Sequence, residues 1–322
     1  MSHDPGRPLA IVGNLNVDQI VATVHRFPAW DEELIVDSSH LELAGTAGYL
    51  ALAAKGLGME PFVVSTVGDD SHGAFLREQL AANDIDDRGV ETIRGAATSL
   101  GIIFVGDRGQ RGILTVLGAH EQMSVAVAAR HDARIAACAE VFLCGNFLLP
   151  TFAPRHVWEY ARRLRERGQV VVFDPSWDPG GWQPQTRAET LALLRNVDLF
   201  LPNEEEFCHL TGVTELDEGI AEVRRHAPET QVVIKRGAKG ALSVIGDQVI
   251  VAAGLPVAAV NTIGAGDVFD VAFLYARRRG WETRRGLDFA NAAAACVVAQ
   301  TGARTYPDEG QVLGFAARHG GG

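Results

Sequence analysis

The sequence predicts a doubly wound α/β fold with a mostly parallel sheet flanked by helices and a small lid of strands. Short β-branched runs alternate with longer segments of helical period, the order that builds a parallel sheet. Two regions interrupt that alternation with strand pairs that lack a crossover helix. Hydrophobic residues make up 47% of the chain and charged residues 21%, enough apolar material for a large core and too little charge for global disorder. At the usual ~100 to 200 residues per domain, the 322 residues fit a single α/β unit over 1–322. Its lid strands are expected within 14–45 and 98–118.

Residues 9–12 form the first strand candidate, followed by a helical segment at 47–57 and a strand at 62–66. Further strands are predicted at 141–143, 170–173, 199–201 and 232–235. Helices such as 152–167 and 216–226 separate them. The interruptions fall at 21–43 and 99–117. In the second, Gly101-Ile102-Ile103-Phe104-Val105 and Ile113-Leu114-Thr115-Val116 flank the turn-rich segment Gly106-Asp107-Arg108-Gly109-Gln110. Both read as antiparallel hairpins placed to cover the ligand crevice of the parallel sheet. Two helices are predicted at 268–278 and 283–300. The second carries a small face, 290–295, that permits close approach of a ligand or, more plainly, of another helix. The basic runs Arg162-Arg163 and Arg277-Arg278-Arg279 lie near helix C-termini and read as solvated faces. Residues 1–7 and the tail Gly320-Gly321-Gly322 are expected to be mobile.

Composition also excludes partners. Subtracting 40 acids from 29 bases gives a net charge of -11, which argues against binding a nucleic-acid backbone but not against an anionic small molecule. No apolar stretch approaches the ~20 residues needed to span a bilayer, and Asp4 and Arg7 precede a strand-like run rather than a secretory core. A cytoplasmic location is expected, with no membrane partner. Cys138, Cys144, Cys208 and Cys296 lack C-x-x-C spacing and read as buried reduced thiols. The histidines offer no H-x-x-x-H pair, so any metal is expected to arrive with a ligand.

The segment Val260-Asn261-Thr262-Ile263-Gly264-Ala265-Gly266-Asp267-Val268-Phe269-Asp270 carries the clearest chemistry. Its glycines permit a backbone that aims successive N–H groups at one point, and the helix that follows adds the positive end of its dipole. Phosphoryl oxygens suit that point. Asp267 either caps the helix and complements its dipole, or stands beside the anion site as a general base.

Six segments in order resemble the PfkB, or ribokinase-like, family of carbohydrate and nucleoside kinases. They are Gly13-Asn14-Leu15-Asn16-Val17-Asp18, Ala44-Gly45-Thr46-Ala47-Gly48-Tyr49, Val67-Gly68-Asp69-Asp70-Ser71-His72-Gly73, Asn203-Glu204-Glu205-Glu206, Lys235-Arg236-Gly237-Ala238-Lys239-Gly240 and Gly264-Ala265-Gly266-Asp267. The resemblance spans nearly the whole chain, and the lid regions fall where this family inserts its lid strands. It implies transfer of the ATP γ-phosphoryl group to a hydroxymethyl group of a sugar-like substrate. Asp267 is then the base, and the amides of Gly264, Ala265 and Gly266 receive the oxyanion. Substrate contacts are implied for Asn16, Asp18, Gly45, Thr46, Tyr49 and Asn146. Nucleotide contacts are implied for Asn203, Glu206, Lys235, Gly237, Gly240, Thr262 and Asn291, with Lys235 as a mobile point charge. Magnesium is implied to enter with ATP and to meet Glu206 through water.

The chain departs from the family pattern at several positions. Tyr49 replaces an asparagine of the substrate loop and supplies either a hydroxyl with an aromatic wall or core filling. In Asp174-Pro175-Ser176-Trp177-Asp178, Ser176 and Asp178 replace an asparagine and an arginine, which puts help from this loop to an acid sugar in doubt. Asn146 sits close to where ribokinase-like members offer a glutamate to substrate, with a strand-end cap as its alternative role. Asn261 replaces an aspartate found in potassium-activated relatives, so a monovalent cation is weakly supported. We expect less than about a twofold gain in rate when potassium replaces a large organic cation. A nucleoside kinase, with Tyr49, Trp30 or Phe104 stacking on a base, remains an alternative, as does a silent binding or regulatory relative. Gly13-Asn14-Leu15-Asn16 lacks the G-x-G-x-x-G turn of a dinucleotide-binding oxidoreductase. Lid strands with open edges also allow a homodimer.

Overall fold

Strands that read as continuous apolar runs are those covered by helices on both faces. The computed structural model describes residues 6–106, 111–301 and 304–319. Residues 107–110 of the expected turn, residues 302–303 and the extreme ends, 1–5 and 320–322, lie outside the described residues. In chain order the strands are β1 (Leu9–Gly13), β2 (Asn16–Ala22), β3 (Ser38–Ala44), β4 (Pro61–Gly68), β5 (Asp86–Ile93), β6 (Leu100–Val105) and β7 (Arg111–Val116). They continue as β8 (Glu140–Cys144), β9 (Val170–Asp174), β10 (Leu199–Phe200), β11 (Gln231–Lys235), β12 (Ala241–Ile245) and β13 (Gln248–Ala252).

Among the described residues the main sheet has nine strands in the order β13-β12-β11-β10-β9-β8-β1-β4-β5. Pairing is parallel from β5 to β11, and β12 and β13 add an antiparallel edge. Strands β1, β4 and β8 are buried at every residue. One face packs on helices Gly45–Gly56, Ala265–Arg278 and Thr283–Val298, the other on Pro154–Glu166, Pro184–Leu194 and Leu216–His226. The chain order reverses at β1, with β4 on one side and β8 on the other, which opens a crevice beyond the carboxyl ends of these strands.

A second sheet, β3-β2-β6-β7, is the lid. Each hairpin is antiparallel as expected, but β2 and β6 pair in parallel, joining the two hairpins into one sheet. β2 begins at Asn16, inside the expected lid bounds 14–45 though ahead of the interruption read at 21–43, and it carries Asp18. Ile20 and Ala44 from lid strands meet Ile103, Tyr49 and Ile263 in a small apolar cluster of their own. That cluster ties the lid to the residues before the glycine turn.

The predicted solvated face at 277–279 fails at Arg278. Its side chain is buried, ion-paired with Glu140 at the start of β8, and donates to the carbonyls of Arg7 at 2.8 Å and Pro8 at 3.3 Å. A buried guanidinium needs such partners, and the tertiary contact overrides the local helix-end preference. Of the four thiols, all free, Cys138 and Cys144 are buried while Cys208 and Cys296 are only half-buried. No helix among the described residues is long and apolar enough to cross a membrane.

Candidate active site

Gly264 opens the Ala265–Arg278 helix in the left-handed conformation, φ 68°, and offers no side chain to cap it. A Cβ there would come within 3.0 Å of the Tyr49 ring and 3.1 Å of Arg304 Nη1, so strain and crowding both demand glycine. Gly266 differs. A Cβ on it would make only ordinary contacts, the shortest 3.6 Å to Lys235 Nζ. No neighbouring protein atom therefore requires a glycine that lowers helix propensity by about 1 kcal/mol, whereas close approach of a ligand to the backbone would. The first-turn amides of a helix lack intrahelical partners, and here the N-cap residue has no side chain to supply one. One of the expected oxyanion donors is partly engaged, since Ala265 N–H donates to Thr262 O at a long 3.3 Å.

Asp267 lies in the first turn of this helix. It keeps a partial opening to solvent, yet protein surrounds it on almost every other side. That burial, reinforced by the charge of Asp174 and opposed by Lys235, pushes its carboxyl well above the usual range. It does not cap its helix.

Below the turn sits a buried charge network. Lys235, at the end of β11, donates to Asp174 Oδ2 at 2.8 Å and to Asp270 at 3.0 and 2.8 Å. The mobile charge expected from sequence is therefore a fixed one. Burial disfavours its ionised form, but Asp174, Asp270 and Glu206 hold it above its ordinary range. Asn203 and Glu206 form a reciprocal capping box at the helix Glu204–Thr211, with both bonds at 2.9 Å. Burial first, then the charge of Asp174, lifts Glu206 to about 7. Glu206, Asp267 and Asp270, each pushed up by burial, thus gather with Asp174 around one lysine, and a hydrated cation would favour their ionised forms. The described residues contain no closed set of His, Cys, Asp or Glu able to cage a metal directly.

The lid side holds Asp18. It accepts from Asn16 Nδ2 at 2.7 Å and from the Tyr49 hydroxyl at 3.1 Å. A Cβ at Gly101 on β6 would collide with its Oδ1 at 2.4 Å, so that glycine makes room for the carboxylate. Burial raises Asp18 to about 6 against the opposing bonds from Tyr49 and Asn16. Tyr49 therefore does more than fill a gap: its hydroxyl holds Asp18 and its ring packs on Gly264. Asp18 and the turn that carries Asp267 consequently lie on one side of the molecule, linked through one tyrosine. Tyr49→Phe removes a bond that favours the ionised form, so the Asp18 carboxyl is expected to titrate above 6 in a carbon-13 NMR titration. An unmoved midpoint would dismiss the bond.

The remaining predicted residues divide. Gly45, φ 77°, lies against Asn14 O and Asn16 Oδ1, and Thr46 shares a 3.1 Å bond with Ser176 Oγ. Gly237 and Gly240 form the turn after β11, with φ of 55° and 92°. Thr262 is exposed beside the glycine turn, and Asn291 donates to Ala253 O at 3.1 Å. Asn146 is fully buried and donates to Phe152 O at 2.7 Å, in the connection that leads to the next helix, while its Oδ1 has no partner among the described residues. Asp178 is spent on its own turn, accepting from Gly180 and Trp182 at 2.7 and 2.8 Å. The aromatic candidates for base stacking are poorly placed. Trp30 is 98% exposed, Phe104 packs edge-on against Phe27, and Tyr49 is buried under Arg304. Sequence reasoning missed Arg304.

Fold and site together define a class: an α/β protein whose crevice sets a glycine turn and a largely enclosed acid beside a strand lid. The chain belongs to the pfkB family of carbohydrate kinases, whose model matches residues 8–309. Kinases of this family are phosphotransferases with alcohol acceptors. An ATP-dependent ribose-1-phosphate kinase of Halopiger xanaduensis is 28% identical over 94% of this chain and 96% of its own. A ribokinase of Arabidopsis thaliana is 29% identical over 97% of this chain and 81% of its own. The solved structure of Arabidopsis thaliana ribokinase complexed with ribose and ATP superposes with a TM-score of 0.79 at 26% identity, covering 96% of this chain and 98% of that one.

Proposed function

We propose that the protein transfers the γ-phosphoryl group of ATP to a hydroxymethyl group of a sugar-like acceptor held between Asp18 and Asp267. The observation that carries this is the linkage just described: a buried acid at the head of an uncapped glycine-turn helix, joined through Gly264 and Tyr49 to a second acid on the lid. Asp18 and Asn16 orient the acceptor hydroxyls. The acceptor oxygen attacks the γ-phosphorus, the bond to the β,γ-bridging oxygen breaks, and the alcohol proton passes to Asp267. The amides of Gly264 and Gly266 face the charge that builds on the transferring group. Glu206 and Asn203 would hold magnesium through its water shell, and the cation would there neutralise phosphate charge. Gly237, Gly240, Thr262 and Asn291 line the nucleotide side, while Lys235 acts from its fixed position beneath the cradle.

The raised Asp267 carboxyl sets the sign of the pH dependence. A base must be ionised to accept a proton, so kcat/KM rises with pH until Asp267 titrates. The misplaced aromatic residues weigh against a nucleobase acceptor and favour a sugar. The test is a panel of ketoses, ribose, acid sugars, sugar phosphates and nucleosides, supplied with ATP and magnesium and assayed for ADP and a new phosphomonoester. Acceptor-dependent ADP formation is expected. Failure of every alcohol to yield ADP would leave a silent relative of the family as the better description.

A further inference from the structure

We propose, resting on the kinase reading, that His120 is a positioning residue for the acceptor, acting through the carbonyl of Leu15 to hold Asn16 and Asp18 in place. His120 lies in the short turn Gly118–Gln122 that follows β7, the last strand of the lid. Its side chain is fully buried, and its Nε2–H donates to Leu15 O at 2.9 Å. Leu15 belongs to the two-residue connection between the end of β1 and the start of β2, where the chain passes from the main sheet into the lid. The next residue is Asn16, which donates to Asp18, and Asp18 also accepts from the Tyr49 hydroxyl. The bond from His120 therefore falls on the backbone that carries the acceptor-binding pair.

The turn that carries His120 is itself anchored. Thr66 on β4 donates to Ala119 O at 2.9 Å, and Ala119 N–H donates to Ala97 O at 2.8 Å. The imidazole thus reaches from a mount on the main sheet to the root of the lid. From the helix Gly45–Gly56, Ala47 N–H donates to Asn14 O at 3.1 Å, so both carbonyls of the connection are held. Packing alone does not account for a histidine here. A carbonyl only accepts, so Nε2 carries the proton and Nδ1 of the neutral ring is an acceptor. Burial keeps the ring neutral, lowering it to about 4 against the bond to Leu15. Nδ1 is sealed from solvent and has no partner among the described residues. An orphaned acceptor in a dry interior costs stability, and an apolar side chain would not bring one. What the apolar side chain lacks is the donor for Leu15 O. His120→Met exchanges one orphaned acceptor, Nδ1, for another, Leu15 O, so its net effect on the fold is small while the connection is released.

The test compares the wild-type protein with His120→Met and with His120→Gln, whose amide can still donate to Leu15 O. The readouts are turnover of ribose with ATP and magnesium, the melting temperature, and a carbon-13 NMR titration of Asp18 without acceptor. His120→Met is expected to raise the KM for ribose about tenfold, with the KM for ATP unmoved and the melting temperature close to that of the wild type. Asp18 titrates near 6 because of burial, and its midpoint should fall toward the ordinary value near 4 as the released connection admits water. His120→Gln should restore both the KM and the midpoint. An unchanged ribose KM in His120→Met would overturn the inference and leave the kinase reading intact. A glutamine variant as impaired as the methionine one would also overturn it, because ring shape rather than the bond would then matter. So would a joint loss of ribose affinity, ATP affinity and melting temperature in both variants, which would make His120 a residue of the fold alone. If ribose yields no ADP even with the wild type, the kinase reading fails for this acceptor and the Asp18 titration decides by itself. A midpoint lowered by methionine and restored by glutamine would uphold the positioning role, and an unmoved one would sink it.

Discussion

Asp267→Asn is expected to lower kcat about a thousandfold while ATP with magnesium still raises the melting temperature. The amide has the size of the carboxylate and keeps its place in the first helical turn, but it cannot accept the alcohol proton. Because Asp267 does not cap its own helix, the substitution removes no capping bond. It also removes a buried acid whose ionisation is disfavoured by burial and by Asp174 and Glu206, so the fold should not suffer. The pH profile provides a second readout. In the wild type the acid limb of kcat/KM lies above the ordinary carboxylate range, and activity falls as pH drops through it. In the variant the residual rate should lose the part of that limb due to Asp267, leaving the titration of Asp18 near 6. Turnover within tenfold of the wild type would remove Asp267 from the role of base.

That Asp267 was visible from sequence, while Arg304 was not, reflects how each residue is placed. The glycine turn, the helix onset and the acid follow one another within a few residues, so local backbone chemistry announces them. Arg304 acquires its meaning from Tyr49 and Gly264, which are distant in the chain, and its own neighbourhood has neither helical nor strand period. Arg278 is the converse case: a basic run at a helix end obeys a local rule, and the approach of Glu140 from β8 overrides it. The lid strands were recognisable by alternation, yet alternation says nothing about which strand a neighbour will be. The first hairpin follows β1 and the second follows β5, so the parallel pairing of β2 with β6 depends on where two separate strands of the main sheet end. For Lys235 the strand was predictable and its partners were not, since Asp174 ends another strand and Asp270 lies on a helix far along the chain.

Those partners make Lys235 the residue whose loss should cost the fold most. Lys235→Met keeps much of the side-chain volume but leaves Asp174 and Asp270, both buried, facing each other without a cation. Breaking a buried ion pair from one side costs about 3 to 5 kcal/mol, enough to read as a clear shift of the urea midpoint. The pH dependence has a definite sign. Without the lysine, burial lifts the folded-state titration of these carboxyls above their unfolded value near 4. The folded variant then holds protons that the unfolded chain releases. Its stability deficit should be smallest below about pH 4 and should widen as pH rises through the lifted titration. Adding Asp270→Asn removes one of the stranded charges, so the double variant should be more stable than Lys235→Met alone at pH 8. If both variants unfold at the same urea concentration there, the three groups do not act as one network. Lys235 would then matter for the charge it presents to the cradle rather than for holding the floor of the crevice together.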